Sequence, residues 1–117
     1  MNNEMDDFVV EAGHPNSVAP GKTPLSSMSP TIVLKDGKPF MVLGSPGATK
    51  IISTVSQVIS RVIDHNMSMQ DAIDTPRLWD NTSNVLNIES RIPDETVKKL
   101  EAMGHKVNKT SDWDRGM

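Results

Sequence analysis

Apolar and polar positions divide this chain into short, well-punctuated stretches. Thr31–Lys35 and Pro39–Leu43 are two runs of β-branched and apolar residues separated by Asp36-Gly37. Asp-Gly between two such runs is a strong hairpin signal, so the pattern predicts a pair of antiparallel strands. From Ala48 or Thr49 to about His65 the period changes. Ile51, Ile52, Val55, Val58, Ile59, Val62 and Ile63 recur at helical spacing, while Ser56, Ser60 and Arg61 fall off the stripe. β-branched residues are weak helix formers, so burial of that stripe against a sheet has to hold the helix. Asn66 suits its C-terminal end. Ser68 followed by Asp71 reads as a capping box opening a short helix, Met69–Asp74, which Pro76 ends.

Downstream, Val85–Glu89 alternates weakly and reads as a strand. Pro93 fits the first turn of a helix, with Asp94 and Glu95 at the favourable end of its dipole. Val97, Leu100 and Met103 are its expected buried face and Gly104 its stop. His105–Lys109 reads as a further strand and Thr110–Met117 as a polar, fraying tail. Residues 1–23 are the least regular part, because Gly13–Lys22 carries Gly, Pro, Asn and Ser at the density of a surface loop. Residues 24–109 therefore hold the regular elements of an α+β chain.

Composition narrows the picture. At 117 residues this is one domain or part of one. Two Phe, two Trp and no Tyr leave a modest core to aliphatic residues and eight Met. The net charge of −3 comes from well-mixed acidic and basic residues, with nothing to attract nucleic acid or an anionic membrane. Met1–Asp7 is polar and acidic, unlike a signal peptide, and no apolar run approaches the ~20 residues of a membrane span. The chain has no Cys, which excludes disulfides and thiolate metal sites. Its three His, at 14, 65 and 105, make no metal-ligand spacing. No metal and no cofactor is expected.

The chemistry gathers around the hairpin. A short hairpin brings its two flanking turns to one end: Pro24–Pro30, with Ser26 and Ser27, and Gly44–Lys50. Hydroxyls and backbone N–H groups converging there would suit an anion or an oxyanion. Alternatively, the serines bond locally to turn backbone, and the glycines only permit a close strand-to-helix connection. A phosphate-loop reading fails, because Thr49 precedes Lys50 and Ile51 follows it. Glu4 and Asp7, read from the residues alone, belong to a solvated acidic terminus. Arg77 reads as structural, tying down neighbouring carbonyls and carboxylates.

These stretches resemble the gamma-glutamyltransferase family, also called gamma-glutamyl transpeptidases. The resemblance rests on Asn2–Phe8, on Pro24–Thr31 and on Gly44-Ser45-Pro46-Gly47. Ala72-Ile73, Pro76-Arg77, Glu89 and Gly104-His105 support it further on. Order and spacing fit the C-terminal part of the family's small catalytic subunit. The resemblance implies part of an αββα sandwich of N-terminal-nucleophile hydrolases, incomplete in this chain. It also implies a periplasmic or secreted full-length enzyme that cleaves gamma-glutamyl amides and passes the acyl group to water or an amine. Asn2–Phe8 would end a strand, with Glu4 and Asp7 binding the substrate's alpha-amino group. Ser26 and Ser27 would hold its alpha-carboxylate, helped by an Arg of the large subunit. Gly47 and Ala48 would supply the oxyanion N–H groups. Ala48 stands where the family has Gly, and its donor is misplaced if the turn demands a positive φ.

The family's nucleophile is an N-terminal Thr. Met1 cannot replace it, and Thr23, Thr31 and Thr49 are internal and lack a free α-amine. The chain therefore reads as a fragment, inactive alone, whose partners are the rest of the small subunit, the large subunit and a gamma-glutamyl substrate. Strands separated from those partners leave an edge and apolar residues such as Ile32, Leu34, Met41 or Leu43 uncovered, so the fragment is expected to form homo-oligomers. Two other readings compete. One is a non-enzymatic truncated homologue that binds an amino acid or a partner chain. The other is a relative acting on poly-glutamate capsule or acylated antibiotics.

Overall fold

The structure, a computed structural model, describes residues 3–80 and 83–110. Asn2 of the acidic motif and most of the expected tail, residues 111–117, lie outside the described residues. The hairpin forms as Asp36-Gly37 requires. Strands β1 (Thr31–Lys35) and β2 (Lys38–Leu43) pair antiparallel, from Thr31 opposite Leu43 to Lys35 opposite Lys38. Asp36 and Gly37 both take positive φ, 52° and 75°, the type I′ geometry that matches strand twist. The register shifts between Val33 and Leu34, where the facing strand carries Phe40 as an extra residue. Met41 on the inner face is buried. On the outer face Ile32 and Val42 remain 65 and 71 % exposed; Leu34 and Phe40, 59 and 50 % exposed, border a groove toward the following helix.

Helix α1 (Ile51–Ile63) follows a one-turn 3-10 helix, Ala48–Lys50. It is two residues shorter at its C-terminus than its apolar pattern predicts. Asn66 lies just beyond in the left-handed conformation, φ 53°, and the Met67 N–H donates to the Arg61 carbonyl at 3.0 Å. Ile51, Val55 and Val58 are buried with Thr54, but Ile52 and Ile63 are exposed. Seven residues make too wide a stripe for one packed face: a residue at i+1 is turned about 100° from its neighbour. Hairpin and α1 share the walls of two grooves, one lined by Val33, Phe40 and Val62, the other by Leu43, Val55 and Val58.

Helix α2 (Met69–Asp74) opens on the expected cap. Ser68 Oγ accepts from the Asp71 N–H at 3.1 Å and donates to Asp71 Oδ2 at 2.6 Å. Strand β3 (Leu78–Asp80) was not legible in the sequence because it is only three residues long. It pairs antiparallel with β4 (Val85–Glu89), and β4 pairs parallel with β5 (Lys106–Thr110). Helix α3 (Asp94–Ala102) makes the crossover that a parallel pair requires. Gly104, at φ 97°, ends it, and the His105 N–H returns to the Leu100 carbonyl at 3.1 Å. The expected buried face is not buried: Val97 and Leu100 are half-buried, and Met103 is exposed, because α3 stops before it and the chain reverses there.

Polar side chains fasten these pieces. Gln57 of α1 occupies the outer edge of β3: its Nε2 donates to the Leu78 carbonyl at 2.8 Å, and its Oε1 accepts the Leu78 N–H at 3.1 Å. Arg61 donates to the carbonyls of Ala72, Thr75 and Pro76, the groups that the end of α2 leaves without helical partners. Burial, then the neighbouring Arg77, lowers its pKa from the ordinary guanidinium value, with Glu89 opposing. Arg77, itself buried, donates through Nε to Glu89 Oε1 at 3.1 Å. Arg91 pairs with the other Glu89 oxygen and reaches the Asp74 carbonyl at 2.6 Å. The structural reading of Arg77 therefore corresponds to a specific contact, which ties the start of β3 to the end of β4.

Two outcomes follow. Glu89→Ala removes the carboxylate partner of the buried Arg77 guanidinium, at a site where Glu89 is only 4 % exposed. Urea unfolding is expected to read a loss of about 3–5 kcal/mol, the cost of breaking a buried ion pair from one side. Asp94 is the second. A hydrogen bond from Lys109, and then the Lys109 charge, hold its carboxyl below the usual value. A depressed folded-state pKa means that this contact's contribution is complete above the unfolded value of about 3.9 and is lost as pH falls through the lower folded one. An NMR titration is expected to give Asp94 a midpoint below about 3.9 that Lys109→Ala restores.

Candidate functional site

Near the hairpin's open end, a cleft of about 600 Å³ is lined by Asp7, Leu25, Ser26, Ser27, Ala48, Thr49, Ile52, Ser53 and Asp80. Four of the six residues singled out by sequence, Asp7, Ser26, Ser27 and Ala48, thus share one cavity. Glu4 and Gly47 do not line it. Glu4 occupies the same one-turn 3-10 helix as Asp7, and Gly47 immediately precedes Ala48. That 3-10 helix, Glu4–Asp7, replaces the strand end expected for this segment. Three acidic side chains in a single turn favour its N-terminal end, where the backbone dipole is positive.

Each segment reaches the cleft differently. Residues 24–30 form neither helix nor strand, as expected where Pro24 and Pro30 push their predecessors out of the α region. Ser26 Oγ accepts from the Met28 N–H at 3.3 Å, so the local bonding weighed for this turn occurs and leaves the Ser26 hydroxyl proton uncommitted. Ser27's carbonyl accepts from Ser29 Oγ at 3.2 Å. Among the described residues its own hydroxyl makes no hydrogen bond.

The second turn is set by backbone conformation. Gly47 has φ 123° and Ala48 has φ 50°. Only glycine takes the first without strain, and alanine pays about 1–2 kcal/mol for the second. Ala48 therefore adopts the left-handed conformation that favours glycine, at the cost of that strain. It opens a helical turn, so its N–H has no partner within that turn. Lys50, at the end of the turn, lies with Nζ 4.9 Å above the ring of Trp79.

Sequence reasoning missed Asn16. This residue is 8 % exposed although it sits in a run of turn formers. Its Nδ2 donates to the Asp7 carbonyl at 2.7 Å and its Oδ1 accepts from the Leu25 N–H at 3.2 Å. Its carbonyl accepts from Val9 at 2.9 Å, beside a parallel bridge between Val9 and Ser17. Its N–H donates to His14 Nδ1 at 3.0 Å. Asp80 was also missed, because it lies on the short β3; its Oδ1 accepts from the Ser83 N–H. Among the described residues no three His, Asp or Glu gather to hold a metal ion.

Comparison with known proteins agrees along the chain. The family described as gamma-glutamyltranspeptidase matches residues 1–116. The glutathione hydrolase proenzyme of Bacillus subtilis strain 168 is 43 % identical over 116 residues, 99 % of this chain. That of Escherichia coli K12 is 43 % identical over 120 residues, 92 % of this chain. The chain spans about a fifth of the length of either relative, 20 % in each case. A solved structure of Helicobacter pylori gamma-glutamyltranspeptidase superposes with a TM-score of 0.83 at 43 % identity, covering 94 % of this chain and 66 % of that one. The fold is thus a mixed α+β piece of a larger domain. With a match this continuous and a shared backbone, almost nothing of the chain stands outside the comparison: it belongs to the gamma-glutamyltranspeptidase family.

Proposed function

We propose that this segment supplies the substrate pocket and oxyanion turn of an enzyme that cleaves gamma-glutamyl amides of the glutathione kind and passes the gamma-glutamyl group to water or to an amino-acid or peptide acceptor. The observation that carries this reading is the meeting of Asp7, Ser26, Ser27 and Ala48 in one cleft, although they lie up to 41 residues apart in the chain. Asp7, with Glu4 beside it, takes the substrate's α-ammonium, because a carboxylate matches its charge and accepts its protons. The Ser26 and Ser27 hydroxyls take the α-carboxylate. Gly47 and Ala48 direct backbone N–H groups at the oxygen that becomes negative when the γ-carbonyl is attacked. The positive end of α1, immediately beyond that turn, favours the same charge.

The attacking group comes from elsewhere in the enzyme. Thr49 lines the cleft, but its nitrogen is an amide and cannot act as the base of an N-terminal nucleophile. The radius of gyration, 17.2 Å, exceeds the roughly 13 Å of a compact globule of this length. That openness fits a segment that is not a self-contained globule; on this reading it belongs to an αββα sandwich in the small catalytic subunit, completed by the rest of that subunit and by the large one.

In a full-length enzyme carrying this segment, steady-state kinetics with a chromogenic gamma-glutamyl anilide test the roles. Asp7→Asn, or Ser26→Ala with Ser27→Ala, is expected to raise KM at least tenfold, since each removes a charge-assisted contact made already in the ground state. Gly47→Ala keeps the N–H but cannot hold φ 123° without strain, so it displaces the donors of the turn and is expected to lower kcat up to about 10²-fold with little change in KM, as misplacing an oxyanion donor does. Unchanged KM in both pocket variants would refute the reading. The isolated chain is expected to show no turnover and to self-associate through Ile32, Leu34, Phe40 and Val42; a clean 12.8 kDa monomer by light scattering would exclude that association.

A further inference from the structure

The two halves of the proposed pocket sit on irregular backbone. Asp7 closes a single 3-10 turn, and Ser26 and Ser27 lie in an irregular segment that pairs with no strand among the described residues. Neither is held by a helix or a strand ladder. Yet the α-ammonium and α-carboxylate of a gamma-glutamyl group are attached to the same carbon, so their two receptors must keep a fixed spacing. Binding constellations hold only when receptors stay within about 0.5 Å of the productive geometry.

One side chain spans both receptors. Asn16 donates from Nδ2 to the Asp7 carbonyl and accepts at Oδ1 from the Leu25 N–H, the residue just before the serines. Asn is suited to this because its amide offers a donor at one corner and an acceptor at the other. Asn16 is itself anchored, through its carbonyl to the Val9 N–H and through its N–H to His14 Nδ1. Lys22 secures the same loop by donating to the carbonyls of Pro15 and Ser17 at 2.9 and 3.1 Å. The loop of residues 9–22 is thereby a rigid bracket with Asn16 at its centre.

The geometry points to Asn16 as a positioning residue that sets the distance between the ammonium receptor at Asp7 and the carboxylate receptor at Ser26-Ser27, and so selects α-amino acids for the pocket. This rests on the roles proposed above for those residues. Asn16 touches no substrate; it acts through two backbone groups. The two arms can be cut separately. Asn16→Asp keeps an oxygen for Leu25 but removes the donor to Asp7. Asn16→Ala removes both.

The test uses the full-length enzyme and three p-nitroanilides: gamma-glutamyl, glutaryl, which lacks the α-amino group, and 4-aminobutyryl, which lacks the α-carboxylate. Asn16→Asp is expected to lower kcat/KM about tenfold for the two amino-bearing substrates, mainly through KM, and to change the glutaryl substrate less than twofold. Asn16→Ala is expected to lower the glutaryl substrate as well. A role in folding alone would lower all three equally, and that result overturns the inference, as does no change in any. The rate ratio between substrates does not depend on how much enzyme folds. If the Asp variant yields no soluble enzyme, Asn16→Ala, which puts no charge beside the Asp7 carbonyl, gives the same reading from its larger loss on the gamma-glutamyl than on the glutaryl substrate; equal losses overturn the inference. Asp7→Asn separates the two levels of the argument. If it leaves the gamma-glutamyl to glutaryl ratio intact, the ammonium role of Asp7 fails and the inference fails with it. If it collapses the ratio and Asn16→Asp does not, only the inference fails.

Discussion

An ionised carboxylate buried at the end of β4 is the constraint on which the C-terminal half of this structure depends. Taking Glu89 out of water costs several kcal/mol unless its oxygens find charged donors of good geometry. Arg77 and Arg91 supply them, one to each oxygen. Their backbones stand at the start of β3 and in the turn after β4, and Arg91 also holds the Asp74 carbonyl of α2. Satisfying one side chain therefore fixes how α2, β3 and β4 join. Arg61 extends the set by tying α1 to the same α2–β3 junction. The apolar core is small, with Ile88 its only fully buried large side chain among the described residues, so polar fastening carries much of the specification.

The candidate site is built on the other half and by other means. Regular elements bring its segments close, and irregular backbone presents the functional groups. The hairpin delivers the serine and glycine turns to one end, and α1 begins at the cleft and lends it Ile52 and Ser53. The positive φ of Ala48 is the kind of local strain that persists only where surrounding structure over-determines it. Here the flanking constraints are the end of β2 on one side and the start of α1 on the other.

Much of the scaffold was legible because its signals are local. Asp36-Gly37 encodes a type I′ turn, Ser68 with Asp71 encodes a cap, and Gly104 encodes a stop, each through a short-range geometric requirement. The apolar period located α1 but overstated its buried face, since periodicity cannot tell a residue packed in the core from one lining a cleft; Ile52 is the case in point. Strand β3 was invisible because three residues carry no period. Its edge is capped by Gln57, a contact across 21 residues. The resemblance singled out Asp7, Ser26, Ser27 and Ala48, which line one cleft, whereas Asn16 escaped because an asparagine among turn formers looks the same whether it faces water or bridges two loops.

The hairpin has a consequence in time as well as in space. A tight-turned hairpin closes in about 1–10 μs, whereas a ribosome adds about 5–20 residues per second. The strands of β1 and β2 can thus pair a second or more before α1, which lines a groove with Val33, has been synthesised. During that interval the ribbon is apolar on both sides, with Ile32 and Val42 directly opposite each other on the outer one. Its tip is the exception: Lys35, Asp36 and Lys38 place three charges at the turn, and Pro39 removes a backbone donor beside them. Those residues act as gatekeepers at the end of the ribbon that emerges in full before any cover exists, discouraging another nascent chain from adding a strand there.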